Sequence, residues 1–389
     1  MKNIPRILGA QIAKAAKGFG AVLLTGPRRS GKTTLLRQLY PKADYRLLED
    51  PDVLGRVRSD PRAFLDSLKL PAILDEIQNA PELMPYIRAR IDAQPGLKGR
   101  WLLTGSQEAP LMKGVTESMA GRVVVFQMLP FSVAESPKVG MFKGGFPEVL
   151  ARPSLAQDWF RSYLQTYLER DVRAVSAVRD LATFRQFMAL LASRAGQTLN
   201  MNDLAGPVGL SAPGIKQWLG ILELTGQVIL VQPYFENLGK RLVKAPKVYF
   251  SDTGLLCHLL GLRQEAELLR SPFLGPLFEN FVAGEIAKAL LNHGRQRQLY
   301  YFRDHLGQEV DFVVPTGAGK LALIEAKATR TVLPKMADPM LKFIKAAKRY
   351  QCQGWVVHQG ATLEQASGVA PGIKAVSVPE LSGKVLGLE

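Results

Sequence analysis

Cysteine is almost missing from this sequence of 389 residues: Cys257 and Cys352 are the whole supply. Two thiols form no disulfide framework, and four scattered histidines give no zinc-ligand spacing, so disulfide-stapled and zinc-finger architectures are excluded. Both cysteines are expected as inert core residues. Long apolar runs are missing too. No stretch approaches the roughly 20 residues that span a bilayer, and Met1-Lys-Asn-Ile-Pro5 lacks an apolar signal core with a small-residue cleavage site. The expectation is a cytoplasmic protein with no stable membrane insertion. Acid is in short supply: 34 Asp and Glu stand against 50 Lys and Arg, a formal charge of +16. That surplus favours polyanions as partners, nucleic acid first and an anionic membrane surface second. The remainder is ordinary: 47% hydrophobic and 22% charged residues, in a chain long enough for two or three domains that each bury a core.

The strongest signal present is Gly26-Pro27-Arg28-Arg29-Ser30-Gly31-Lys32-Thr33-Thr34, which reads G-x-x-x-x-G-K-[ST]. It follows the apolar run Ala21–Thr25 and precedes the helix-forming Leu35–Leu39, the strand, glycine turn and helix that a phosphate-binding loop requires. Glycines let backbone N–H groups face a phosphate, and the helix N-terminus adds partial positive charge. Lys32 is expected to reach the outer phosphates, and the Thr33 hydroxyl to ligate Mg2+. Pro71–Glu76 is an apolar strand ending in two carboxylates, which places Asp75 beside the Mg2+ shell and Glu76 where it orients an attacking water.

Two further positions carry open alternatives. Arg100–Ser106 reads as a strand, and Thr104 or Ser106 serves either as a polar sensor of the terminal phosphate or as part of a turn closing the strand. Arg122, between a helical stretch at Met112–Ala120 and the strand Val123–Gln127, either reaches a neighbouring subunit's nucleotide or is a solvated helix-end cation. Strands alternating with helices make an open, mostly parallel α/β sheet.

These residues resemble a family. The GPRRSGKTT loop, the ILDEIQ strand end, the LLTGSQ strand and the AGR corner look like the AAA+-type ATP-binding proteins of bacteria and archaea, in the group fused to a C-terminal domain of unknown function with a restriction-endonuclease-like fold. The resemblance covers nearly the whole chain and implies an ATPase, with ATP and Mg2+ as cofactors, acting as a homo-oligomer.

Downstream, Asp158–Asp180 is helical in pattern, with aromatics on one side and the cluster Glu169-Arg170-Asp171 at its end, either a contact to nucleotide or a neighbouring subunit, or a solvated face. A capped helix at 198–205, a turn at 206–209, a helix opened by Ser211, and the strands 227–232 and 247–250 around the basic loop Lys240, Arg241 and Lys244 suggest a winged helix-turn-helix. Such a module binds DNA or spaces other domains. Beyond it come a helix with Glu279, a strand with Asp311 and a strand with Glu325-x-Lys327. Period-two alternation puts Glu325 and Lys327 on one face, where both meet Asp311. Two carboxylates hold Mg2+ and the lysine orients water or offsets phosphate charge. This D…E-x-K order resembles the PD-(D/E)XK nuclease superfamily, with Val310 in place of its proline. Lys342, Lys345, Lys348 and Arg349 either track a phosphate backbone or form a solvated face.

The expected fold is thus α/β: a P-loop NTPase domain (AAA+/RecA-like parallel sheet) at 1–150, connecting helices at 151–185, a winged helix-turn-helix at 186–260, and a restriction-endonuclease-like α/β domain at 265–389. The expected function is ATP binding and hydrolysis coupled to DNA, branched or partly single-stranded, with Mg2+-dependent cleavage as one possibility. The alternative is a nucleotide-dependent regulatory or defence switch whose nuclease-like domain only binds partners.

Overall fold

The computed structural model describes residues 4–105, 119–167, 181–234, 245–360 and 368–388. Ser106, most of the Met112–Ala120 stretch, the Glu169-Arg170-Asp171 cluster and the basic loop Lys240, Arg241 and Lys244 lie outside them.

The N-terminal part begins with α1 (Leu8–Ala15) and β1 (Ala21–Thr25), followed by α2 (Lys32–Leu39), β2 (Asp44–Leu47), α3 (Pro51–Ser59), α4 (Pro61–Asp66), β3 (Ala72–Asp75), α5 (Leu83–Ala93), β4 (Trp101–Thr104) and β5 (Val123–Gln127). The strands form one sheet in the order β2-β3-β4-β1-β5, with parallel neighbours. Every residue of β1, β3 and β4 is buried, as expected where helices cover both faces of a parallel sheet. Helices α3 and α4 start where their sequences dictate. Asp50 and Asp60 each accept two backbone N–H bonds at the N-cap, ahead of a proline in the first turn.

The middle part contributes α6 (Pro147–Ala151), α7 (Ala156–Tyr167), α8 (Leu181–Ser193), α9 (Met201–Ala205), α10 (Ala212–Leu224), β6 (Val228–Pro233), β7 (Lys247–Phe250), α11 (Thr253–Leu259) and α12 (Glu265–Arg270). Ser211 caps α10 through the Gly214 N–H, and β6 pairs with β7 antiparallel. Helix, turn, helix and hairpin are therefore present. The hairpin does not stand apart, because the end of β6 pairs in parallel with β8 (Tyr300–Arg303) of the C-terminal sheet.

That sheet has eight strands in the order β12-β13-β11-β10-β9-β8-β6-β7. Its other elements are α13 (Leu274–Asn292), β8 (Tyr300–Arg303), β9 (Glu309–Gly317), β10 (Lys320–Lys327), α14 (Asp338–Ala346), β11 (Gln351–His358), β12 (Gly368–Ala370) and β13 (Ile373–Ser377). Helix α13 packs Phe278, Val282 and Ile286 on the face bearing Phe312, Ala322 and Ile324, and α14 packs Met340 and Phe343 on the face bearing Val313, Leu321 and Leu323. At about 25 cal/mol per Å2 of apolar area removed from water, each fully buried side chain of this size stabilises by roughly 1.5–3 kcal/mol. Cys257 is core, as expected, but Cys352, at the start of β11, is only partly buried, packed against the cluster that holds Met340 and Phe343. Among the described residues no helix is long and apolar enough to cross a membrane.

Candidate active site

The loop between β1 and α2 is built from conformations that ordinary residues avoid. Gly26 has φ +134° and Gly31 φ +98°, and Arg29 is left-handed at φ +61°. A Cβ on Gly26 would lie 2.2 Å from the Met128 carbonyl oxygen, so only glycine permits the segment after β5 to close over the loop. The Lys32 ammonium donates to the carbonyls of Gly26 at 3.0 Å and Pro27 at 2.9 Å. Ser30 is buried, and its hydroxyl has no hydrogen-bond partner among the described residues. A buried hydroxyl left without a partner is costly, and a phosphate oxygen supplies what it lacks.

Asp75 organises the other side. Its carboxylate accepts the Thr33 hydroxyl at 2.8 Å, the Tyr45 hydroxyl at 2.8 Å and the Thr104 hydroxyl. Burial, then the hydrogen bond to Asp75, raises the Tyr45 phenol above its ordinary range, so Tyr45 stays a donor. Thr104 also accepts the Glu76 N–H at 3.2 Å. Thr104, expected as a phosphate sensor or a turn residue, thus has its hydroxyl turned to Asp75. Glu76 is itself left-handed at φ +59°, and its carboxylate accepts from Gln78 and lies 3.9 Å from Arg28. Hydroxyl and carboxylate oxygens are the donor set Mg2+ prefers, and Thr33 with Asp75 presents both.

These groups face a cavity of about 880 Å3 whose opposite wall comes from the middle part: Arg152, Trp159, Ser162 and Thr166. Trp159 is held there by stacking on Tyr163, with ring centroids 4.9 Å apart and planes inclined by 16°. Arg29 reaches the same part through Glu148 at 3.8 Å. None of this wall, nor Tyr45, was singled out as a site from the sequence. Tyr45 was within reach: it lies on a strand parallel to β3, paired with Ile73.

Arg122 lies elsewhere. Val123 pairs with Ala21 and Gln127 with Thr25, so Arg122 stands at the sheet edge opposite the loop, roughly 16 Å away at 3.3 Å per residue. Its guanidinium grips Asp92 through two hydrogen bonds of 2.8 and 3.2 Å. Within its own chain it is not part of the site.

A second constellation forms on the C-terminal sheet. Tyr300 pairs with Val313 and Phe302 with Val310, so β9 carries an extra residue in a bulge that holds Asp311. Bulges re-aim side chains. Asp311 accepts the Ala326 N–H at 2.9 Å and lies 3.8 Å from Lys327, whose ammonium donates to Glu325 at 2.7 Å. Glu325 is 2% exposed, and its other carboxylate oxygen has no partner among the described residues. Burial and then the charge of Asp311 push the Glu325 carboxyl up, and the same two causes push up Glu279. Glu279, on α13, is held by Lys247 at 2.9 Å and the Tyr249 hydroxyl at 2.6 Å. Burial pulls the Lys247 ammonium down, but Glu279, Asp311 and Glu309 outweigh it, so Lys247 stays protonated. The structure therefore brings Asp311, Glu325 and Lys327 together, with Glu279 nearby. The sequence reading missed Lys247 and Tyr249, whose alternation on β7 was the available signal. Asp311, Glu325 and Lys327 line an open cleft of about 320 Å3 with Lys342 of α14. Among the described residues no three His, Cys, Asp or Glu side chains are grouped to hold a metal ion. Two carboxylates with an unpartnered oxygen nevertheless suit one Mg2+, which keeps several waters and binds through one or two carboxylates.

Comparison with known proteins fits this geometry. Residues 19–136 match the AAA domain family, residues 138–266 a domain of unknown function (DUF8612), and residues 274–381 another (DUF4143). The chain therefore carries an AAA-type P-loop domain, a domain that implies ATP binding, followed by these two regions. Over 333 residues it is 32% identical to the uncharacterized protein Rv2008c of Mycobacterium tuberculosis, covering 84% of this chain and 74% of that one. The match to the uncharacterized protein Mb2031c of Mycobacterium bovis has the same extent. The chain belongs to the family of these mycobacterial proteins. Among solved structures, the Walker-type ATPase PABY2304 of Pyrococcus abyssi aligns with 15% identity and a TM-score of 0.44, over 66% of this chain and 96% of that one.

Proposed function

We propose that this chain is a Mg2+-dependent ATPase that works as a homo-oligomer and binds DNA through its middle and C-terminal parts, with a divalent cation also taken at Asp311 and Glu325. The observation that carries the ATPase reading is the Asp75 carboxylate, which gathers the Thr33, Thr104 and Tyr45 hydroxyls beside Lys32. Thr33 and Asp75 would hold Mg2+, which would supply charge neutralisation at the phosphates. Lys32 leaves its loop carbonyls for the outer phosphates. Glu76 orients the attacking water and takes its proton, and Thr104 fixes the backbone from which Glu76 projects. Arg122, too far from its own loop, acts on a neighbouring copy. The DNA reading is supported by the charge of +16 and by Lys342, Lys345, Lys348 and Arg349, all exposed on and just after α14, of which Lys342 lines the Asp311 cleft.

A second reading, a nucleotide-dependent switch whose C-terminal part only binds partners, is favoured by Glu76 itself, since Gln78 and Arg28 hold its carboxylate. Phosphate release measured with Mg2+ and ATP, alone and with duplex, single-stranded or four-way-junction DNA, separates the two. DNA stimulation supports the first, and slow turnover indifferent to DNA supports the switch. No release by the wild type, or equal release by Lys32→Ala, overturns both.

A further inference from the structure

The carboxylates of the C-terminal sheet surround a cation carried by β7, a strand of that sheet that lies outside residues 274–381. Lys247 lies on β7, within the middle region, yet its ammonium is 2% exposed among residues of α13 and β9. It donates to Glu279 at 2.9 Å, pairs with Glu309 at 2.5 Å and lies 5.5 Å from the centroid of the Tyr301 ring. Two residues on, Tyr249 gives Glu279 its second hydrogen bond, and Arg303 stands 3.5 Å from Glu309. By hydrogen bonds and ion pairs the carboxylates thus divide into two halves, with the Lys247 charge also felt at Asp311. Glu279 and Glu309 are held by Lys247, Tyr249 and Arg303, whereas Asp311 and Glu325 share Lys327 and leave one buried Glu325 oxygen without a partner. A divalent cation gains most where a buried oxygen lacks a partner. It gains least beside a fixed ammonium already within 3 Å of the oxygens, because the two positive charges repel at low local dielectric.

We propose that Lys247 is a built-in cation, delivered by the middle region, that fills the Glu279 and Glu309 half of this centre. The centre then takes a single divalent ion, at Asp311 and Glu325, and loss of the Lys247 charge opens a second cation position. This rests on the reading above that Asp311 and Glu325 accept a divalent ion.

The test is Mn2+ titration of the full chain without nucleotide, with free Mn2+ counted by electron paramagnetic resonance. Wild type should bind one ion that persists in Thr33→Ala, which disables the P-loop position, and disappears in Asp311→Asn. Lys247→Met, of similar length but uncharged, should bind two ions with a spin-coupled signal, and Lys247→Arg should bind one. A single ion in folded Lys247→Met overturns the proposal while leaving the Asp311 and Glu325 reading intact. No ion in wild type overturns both. Should Lys247→Met not fold, wild type and Glu279→Gln decide. One ion in each supports the proposal, whereas two ions in wild type, or loss of the ion in Glu279→Gln, overturns it.

Discussion

Glu76 offers the sharpest test because its chemistry and its backbone pull in opposite directions. At φ +59° and ψ +50° it adopts a left-handed conformation, which costs an ordinary L-residue roughly 1–2 kcal/mol and which asparagine or glycine adopts far more readily. Glu76→Gln keeps the strain and removes the base. Glu76→Asn and Glu76→Gly remove the base and relieve the strain, glycine returning roughly 0.5–1 kcal/mol through its freer unfolded chain. The expected order of folded stability is therefore Asn above Gln by about 1 kcal/mol, with Gly between them, a difference of about 3–4 degrees in the melting temperature of the ATPase part. All three should retain ATP and lose phosphate release by two orders of magnitude or more, since positioned acid–base groups contribute about 10²–10⁴-fold. Using Gln as the reference matters, because every variant loses the carboxylate that Gln78 and Arg28 hold. If Asn and Gly melt no higher than Gln, the backbone at position 76 stores no strain. If any variant turns over ATP at the wild-type rate, Glu76 is not the base.

Lys32→Ala should abolish ATP binding, read as loss of the fluorescence change expected from Trp159 in the cavity wall. Thr104→Val deletes both the hydroxyl bonded to Asp75 and the acceptor of the Glu76 N–H. It should destabilise by about 1–3 kcal/mol in denaturant unfolding and raise the Mg2+ concentration needed for half-maximal turnover. Mixing Arg122→Ala with Lys32→Ala protein should restore phosphate release if Arg122 serves a neighbouring copy, and should restore none if its bond to Asp92 is its whole role. Burial, then Asp311, holds the Glu279 and Glu325 carboxyls above the ordinary range, to about 7 and about 8. Between pH 4.5 and 8 the native state therefore binds more protons than the unfolded chain, and stability should fall as pH rises through that window. Glu325→Gln should flatten the decline in melts recorded from pH 5 to 8.

The P-loop was legible in full because its determinants are local: the glycines, lysine and threonine follow one another, and β1 and α2 follow from their immediate neighbours. Asp75 and Glu76 were legible for a related reason, since a parallel sheet puts strand C-termini on one rim. What the sequence hid was non-local. Tyr45 reaches Asp75 only because β2 lies beside β3. The pairing of β6 with β8, which merges the hairpin into the C-terminal sheet, depends on a register that no short stretch encodes. The bulge that aims Asp311 is equally invisible to a period-two reading, which succeeded there because Glu325 and Lys327 lie on the regular strand.

Boundaries drawn from composition and motifs consequently divide what the physics joins. The segment after β5 closes over the P-loop through Met128, and a few residues later its backbone is held by charges from α13: Glu285 accepts the Val133 N–H at 2.8 Å and Lys288 donates to the Phe131 carbonyl at 3.1 Å. Both charges are nearly buried and pair with each other at 2.9 Å. Removing one member of such a pair leaves an uncompensated charge in a dry interior, at a cost of about 3–5 kcal/mol. The ATPase part and the C-terminal sheet are therefore docked by contacts that do not weaken gradually. Helix α13, which makes those contacts, also carries Glu279, so one helix of 19 residues joins the C-terminal centre to the segment that leaves β5.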